Sequence, residues 1–229
     1  MVLGDAMDIN LLRNGLVKVM AGLVIMGILI FIPAGSLGYW QGWLLIGILF
    51  IPMIIAGFIM FFKSPELLRK RLNMKEGQKD QKIVVLLSGL MFILAFVVAG
   101  LNYRFGWILM PNWVPIVFTI VFLVAYILYA EVLRENVYLS RTVEVQENQK
   151  VIDTGMYGVV RHPMYTTTLL LFLSMPLVLG SIFSFVITLL YIPIIAMRIK
   201  NEEVVLSEGL LGYKDYMTKV KYRLIPFIW

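Results

Sequence analysis

The chain has 229 residues, of which 60% are hydrophobic and 15% charged, and this excludes an ordinary soluble domain, which carries roughly 45–50% apolar and about 25% charged residues. It contains no cysteine and one histidine, His162, which excludes disulfides, thiolate nucleophiles and multi-histidine metal sites. The net charge of +6 does not indicate a nucleic-acid partner, because the basic residues flank apolar segments, as orientation signals of membrane proteins do.

Four apolar segments in the first part of the chain are long enough to cross a bilayer. A membrane-spanning helix needs about 20 mainly apolar residues. The tryptophans Trp107 and Trp113 flank the fourth segment, as interfacial aromatic residues do. The four predicted spans lie at residues 16–33, 42–62, 83–101 and 113–130.

The apolar segment at residues 164–197 is too long for one ordinary span and short for two. Gly180 and Ser181 lie at its middle, which allows a tight helical hairpin. A single crossing would place the basic tail outside, whereas a hairpin leaves every basic residue except Arg104 on the cytoplasmic side. The sequence therefore predicts an all-α transmembrane bundle of about six spans, the last two a tight hairpin, with both termini cytoplasmic.

We expect a single integral membrane domain over residues 1–229, made of a four-span part at 1–135 and a C-terminal part at 136–229. The two longest polar stretches and the tail after Arg198 all face the cytoplasm in this topology. A soluble cofactor would therefore reach the protein through a loop on that side.

The first polar cluster, residues 155–165, is a loop that leads into the hairpin. Pro163 suits the first position of a helix, because its missing N–H group is not needed there. A helix start binds anions through free N–H groups and a positive dipole end, and Arg161 and His162 add donors at the same place. The cluster favours a carboxylate or phosphate ligand, and the structural alternative is that Arg161 and His162 only anchor the next span.

The second polar cluster, residues 198–203, lies at the end of the last span. Arg198 and Glu202 are four residues apart, so they share a helix face and can pair. Glu203 points about 100° away around the helix. Acids at a membrane boundary are costly unless paired or hydrated, so the two interpretations are a functional site and a solvated helix end.

The tail over residues 212–226 interleaves aromatic and basic side chains. This pattern predicts a C-terminal amphipathic helix in the headgroup region, with membrane adhesion as the role of most of it. Signature motifs of nucleotide hydrolysis, zinc proteolysis, Rossmann cofactor binding and serine hydrolases do not occur in the sequence.

Taken in order, these clusters resemble the isoprenylcysteine carboxyl methyltransferases and the related membrane phospholipid methyltransferases. The resemblance covers roughly residues 136–229, and the first four spans match only as generic membrane helices. Leu211 departs from it, because the family usually has Phe before the glycine, and the tail is slightly longer. The matching positions are Gly155, Tyr157, Val160, Arg161, His162, Pro163, Tyr165, Arg198, Glu202, Glu203, Leu206, Gly212, Tyr216, Arg223, Leu224, Ile225 and Pro226.

The resemblance implies methyl transfer from S-adenosylmethionine to a lipidic acceptor at the cytoplasmic membrane face, without a metal. Arg198 and Glu203 are the expected acceptor-side pair: Arg198 would orient a carboxylate acceptor, and Glu203 or Glu202 would take the proton of an amine. The acceptor stays open between a prenylated cysteine, a phospholipid amine and another amphiphile. The implied cofactor-binding residues are Tyr157, Val160, Arg161, His162, Pro163, Tyr165, Glu202 and Glu203.

Two other functions compete with this interpretation. An NADPH-dependent membrane reductase of the sterol-reductase type is similar in its C-terminal pattern, and Arg134, Arg141 and Lys150 would bind its additional phosphate. A transporter or lipid-binding scaffold usually has ionisable residues within its spans, whereas no span centre here carries one. The complete Arg-His-Pro and Glu-Glu pattern favours the methyltransferase.

Overall fold

A computed structural model describes residues 9–73, 79–140 and 142–229, and in these ranges every regular element is helical. Five stretches are long and apolar enough to span a membrane: α1, α2, most of α4, α5, and α7 together with α8. The helices in chain order are α1 (Ile9–Ala34), α2 (Trp40–Lys63), α3 (Pro65–Leu72), α4 (Lys79–Phe105), α5 (Trp113–Glu135), α6 (Pro163–Val178), α7 (Ile182–Thr188), α8 (Tyr191–Gly209) and α9 (Tyr213–Lys219). The prediction of a polytopic helical bundle is confirmed.

The four predicted N-terminal spans correspond to α1, α2, α4 and α5, each extended at one or both ends by polar residues. Their packing depends on close backbone approach at Gly100, where a Cβ atom would lie 2.6 Å from the carbonyl oxygen of Ile30. Small residues at such contacts let membrane helices pack closely without a hydrophobic driving force. The fully buried Leu45 and Phe122 belong to the core of this part.

The predicted hairpin is present, with its turn at the predicted place. α6 ends at Val178 and α7 begins after Ser181, whose side chain accepts a hydrogen bond from the Ser184 amide at 3.3 Å. Gly180 has a φ of +68°, a conformation that favours glycine. The turn is fixed to the bundle by the Tyr39 hydroxyl, which donates to the Leu179 carbonyl oxygen at 2.5 Å.

The hairpin differs in two ways from the predicted pair of membrane-spanning helices. α6 has only 16 residues, fewer than the roughly 20 that a membrane-spanning helix needs. A helix of that length rises about 24 Å, less than the roughly 30 Å of the hydrocarbon core. The second arm of the hairpin is interrupted between α7 and α8. Arg161 and His162, which directly precede α6, are buried.

The C-terminal tail differs from the predicted surface helix. α9 ends at Lys219, and its two tyrosines, Tyr213 and Tyr216, are buried. The following residues pair with the loop before α6, where the Arg161 and His162 amides donate to the Tyr222 and Arg223 carbonyl oxygens at 2.8 and 2.9 Å. Amides that precede a helix need partners when buried, and the tail supplies them here.

Candidate active site

A cleft lies at the end of the bundle where α6 starts and α8 ends. Its walls come from the loop at residues 136–152, the starts of α6 and α9, and the last turns of α8. Part of the cleft is continuous with solvent, and its lining combines charged, hydroxyl-bearing and aromatic side chains.

Glu203 is the centre of a buried ion-pair network beside the cleft. Its Oε1 atom accepts a hydrogen bond from Arg161 Nε at 2.7 Å and lies 3.3 Å from His162 Nε2. Its Oε2 atom accepts from Arg223 Nε at 2.8 Å. A buried carboxylate with two guanidinium partners is stabilised as the anion and is a poor proton acceptor.

Arg161 also binds the tail. Its Nη1 atom donates to the carbonyl oxygens of Val220 at 2.9 Å and Lys221 at 3.0 Å. Because Arg161 Nε donates to Glu203, both its Nε and its Nη1 atoms are hydrogen-bonded within the protein. Arg161 thus joins α8, the loop before α6 and the tail, in addition to its position in the cleft wall.

Glu202 belongs to a second network, which faces the cleft. The Tyr165 hydroxyl accepts a hydrogen bond from Arg198 Nε at 2.8 Å and donates one to Glu202 Oε2. The Glu202 side chain keeps 22% of its surface exposed, compared with 6% for Glu203. The sequence predicted that Arg198 and Glu202 share a helix face, and here one tyrosine hydroxyl connects them.

The aromatic wall of the cleft includes Tyr157, Tyr213 and Tyr216. Tyr157 accepts a hydrogen bond from Asn136 Nδ2 at 3.0 Å, and its carbonyl oxygen accepts one from the Tyr216 hydroxyl at 2.7 Å. Burial raises the pKa of the Tyr157, Tyr213 and Tyr216 phenols, so these groups stay neutral.

Tyr213 is a cleft residue that the sequence did not predict. Its hydroxyl is buried and has no hydrogen-bond partner within the described ranges, although buried hydroxyls are nearly always paired. This unpaired hydroxyl indicates that a water or ligand in the cleft completes its hydrogen bonding. Its spacing of three residues from Tyr216 was the available signal, because it places both rings on the inner side of one helical turn.

Gly155 allows the loop before α6 to pass close to α5. Its φ is +52°, and a Cβ atom at this position would lie 1.4 Å from Glu135 Oε1. Glu135 Oε2 in turn accepts a hydrogen bond from the Met156 amide at 3.1 Å. The loop that carries Tyr157 is therefore held against the end of α5.

The predicted site residues are gathered at one end of the molecule, but they do not all face the cleft. Within the described ranges, those that line it are Tyr157, Arg161, His162, Tyr165, Arg198 and Glu202, whereas Val160, Pro163 and Glu203 do not. Pro163 is the first residue of α6, as predicted.

The segment that builds most of the cleft has known relatives. Residues 142–210 match the family model of the phospholipid methyltransferases. This confirms the resemblance found in the sequence and implies methyltransferase activity on a lipid-type substrate. With the apolar helices, it also identifies an integral membrane protein. A comparison with curated proteins found no match.

The structure describes two of the three residues that the sequence suggested for binding an NADPH phosphate. Arg134 is exposed and donates to Glu131 through Nε at 2.8 Å and Nη2 at 2.5 Å. Lys150 is exposed and lines the cleft, and Arg141 is outside the described residues. The family match favours methyl transfer over reduction.

Proposed function

We propose that the protein transfers a methyl group from S-adenosylmethionine to the amine of a membrane lipid in this cleft. The observation that carries the proposal is the position of Glu202 in the cleft wall, connected through the Tyr165 hydroxyl to Arg198. These residues lie on segments that match the phospholipid methyltransferase family.

The residues of the cleft fit this cofactor in type. The Tyr213 hydroxyl, which has no partner among the described residues, suits a hydroxyl group of the cofactor. The Tyr157 and Tyr165 rings suit its positively charged sulfur through cation–π contacts. When bound, S-adenosylmethionine supplies an electrophilic methyl group carried on a sulfonium sulfur.

The chain itself must align the acceptor and remove a proton. An amine that gains a methyl group loses a proton, and a side chain near the reacting nitrogen takes it. We assign this role to Glu202, because it faces the cleft and bonds a neutral tyrosine. The sequence favoured Glu203, but three positively charged or protonatable partners hold that carboxylate beside the cleft, so we assign it to positioning α8.

An amine acceptor accounts for the cleft better than a carboxylate acceptor. A carboxylate needs no base and would use Arg198 as its anchor. Arg198 Nε is engaged with Tyr165, while Glu202 is available at the cleft surface. We further propose that the cleft faces the cytoplasm, as the distribution of basic residues indicates.

Calorimetry and a methylation assay test the proposal. Protein in lipid nanodiscs is titrated with S-adenosylhomocysteine, then supplied with labelled S-adenosylmethionine and either phosphatidylethanolamine or a prenylated cysteine. Binding and N-methylation of the phospholipid are the expected results. Carboxyl methylation alone would overturn the amine acceptor, and failure of a folded sample to bind the cofactor would overturn methyl transfer itself. NADPH would be the next ligand to test.

A further inference from the structure

The short basic helix α3 places an arginine next to the cleft. Arg71 Nη2 donates to the Tyr129 hydroxyl, and the guanidinium carbon lies 5.5 Å from the centre of the Tyr129 ring. Arg71 Nη1 lies 3.8 Å from the sulfur of Met164. Met164 lines the cleft and precedes Tyr165, the residue that bonds Glu202. Arg71 and the proposed base are therefore on either side of the same short stretch of α6.

α3 is held in place as part of the bundle. Leu68 is buried in a cluster with Leu11 and Phe61. The Lys18 side chain donates to the carbonyl oxygen of Leu72, the last residue of the helix. These contacts fix α3 against α1 and α2, so the position of Arg71 beside α6 follows from the fold and is not a chance surface contact.

The charges of α3 are divided between two sides. Arg69 forms an exposed ion pair with Glu66, whereas Arg71 is partly buried between Tyr129 and Met164. Clusters of basic residues beside membrane helices attract anionic lipid headgroups. A guanidinium binds phosphate oxygens through two parallel N–H groups, which gives orientation as well as affinity.

We propose that Arg71 binds the phosphodiester of the lipid acceptor and so directs the amine of its headgroup past Met164 towards Glu202. The Met164 side chain is unbranched and adaptable, so it can move aside when a headgroup enters. This inference rests on the proposed function and adds an anion subsite to it. The ligand is a lipid phosphodiester, and a free phosphate is an outcome that the test distinguishes.

The test compares Arg71→Gln and Arg71→Lys with Arg69→Gln, which removes a charge from the same helix on its exposed side. Each variant is assayed in nanodiscs of neutral lipid with phosphatidylethanolamine, and with a long-chain amine that lacks phosphate. Arg71→Gln should raise the KM for the phospholipid about tenfold and leave the KM for the plain amine, kcat and S-adenosylhomocysteine binding unchanged. Arg71→Lys should be intermediate, and Arg69→Gln should match the unmodified protein.

Several outcomes would overturn the inference. An equal rise in KM for both acceptors would assign Arg71 to structure alone, and an unchanged KM would exclude it from the acceptor site. If Arg71→Gln does not fold, Arg71→Lys decides on the same comparison of the two acceptors. Inhibition of the unmodified protein by millimolar inorganic phosphate with both acceptors alike would indicate a free-phosphate site instead. These failures leave both cofactor binding and N-methylation of phosphatidylethanolamine intact, whereas failure of the proposed function removes one or both.

Discussion

Glu202 and Glu203 are neighbours in the chain, yet the structure places them in different surroundings. Glu203 is buried and bonded to Arg161 and Arg223, so it connects α8 to the loop before α6 and to the tail. Glu202 is partly exposed, accepts a hydrogen bond from the neutral Tyr165 hydroxyl, and its Oε1 atom lies 4.0 Å from His162 Nδ1. Two adjacent acids with different partners suit two tasks, one structural and one chemical.

The comparison extends to the two regions around these acids. The region on the Glu203 side is made of contacts between distant segments: residues 161–162 pair with 222–223 through the backbone, and the Arg161 side chain donates to the carbonyl oxygens of Val220 and Lys221. On the Glu202 side, the cleft is open and contains a buried hydroxyl, that of Tyr213, which has no partner among the described residues. We infer that one region holds the site together and the other receives ligands.

The strongest test of this division is Glu203→Ala compared with Glu202→Ala in folding stability. Removing one partner of a buried ion pair leaves unpaired charges and costs about 3–5 kcal/mol. Glu203→Ala should therefore lower the melting temperature of the detergent-purified protein markedly, and Glu202→Ala should leave it nearly unchanged. Equal melting temperatures for the two variants would remove the structural assignment of Glu203.

Glu202→Gln should have the largest effect on turnover with an intact fold. Loss of a general base slows a reaction by about 100-fold or more. We expect kcat for lipid methylation to fall by that amount while calorimetric binding of S-adenosylhomocysteine stays within a fewfold. Retained turnover would show that Glu202 is not the base, and an equal loss of binding would reassign it to the cofactor.

The fold was predictable where local composition determines it. Apolar length and the placement of basic residues predicted the spans, and Gly180 and Ser181 predicted the hairpin turn. The break between α7 and α8 was missed, although Pro193 in the first turn of α8 was a local signal, because proline lacks the N–H group that would continue the helix from α7. α3 was also missed, because a helix of 8 residues in a polar stretch depends on tertiary contacts, here the packing of Leu68 and the Lys18 contact to Leu72.

The sequence indicated which residues lie near one another, but not how they are arranged around the cleft. Helix geometry showed that Glu202 and Glu203 face different directions, but it did not show which direction faces the cleft. That depends on where the tail returns to the loop before α6, a contact between residues about 60 apart along the chain. The structure thus brings the charged residues near Arg161 together, and it distinguishes their individual surroundings, which the sequence could not.

Tyr165→Phe tests the connection between Arg198 and Glu202. The substitution removes the hydroxyl that both residues contact and keeps the ring. A hydrogen bond to a charged group contributes about 1.5–3 kcal/mol, so we expect kcat to fall about tenfold or more. A Tyr191→Phe variant serves as the control, because its hydroxyl lies 3.5 Å from Thr168 and not within the Glu202 network. Similar activity of both variants would exclude a role for the Tyr165 hydroxyl.

The smallest expected effect concerns the Tyr213 hydroxyl. Because this group has no partner among the described residues, Tyr213→Phe should leave stability unchanged or slightly improved. If the cofactor supplies the missing partner, its dissociation constant should rise about three- to tenfold, as expected for one neutral hydrogen bond. Tyr216→Phe is the matched control, since its hydroxyl donates to the Tyr157 carbonyl oxygen at 2.7 Å and its loss should lower stability. Calorimetry and thermal unfolding of the two variants would thus separate a ligand-directed hydroxyl from a structural one within a single turn of α9. If Tyr213→Phe binds the cofactor as tightly as the unmodified protein does, a water must satisfy the hydroxyl, and the cofactor must lie elsewhere along the cleft.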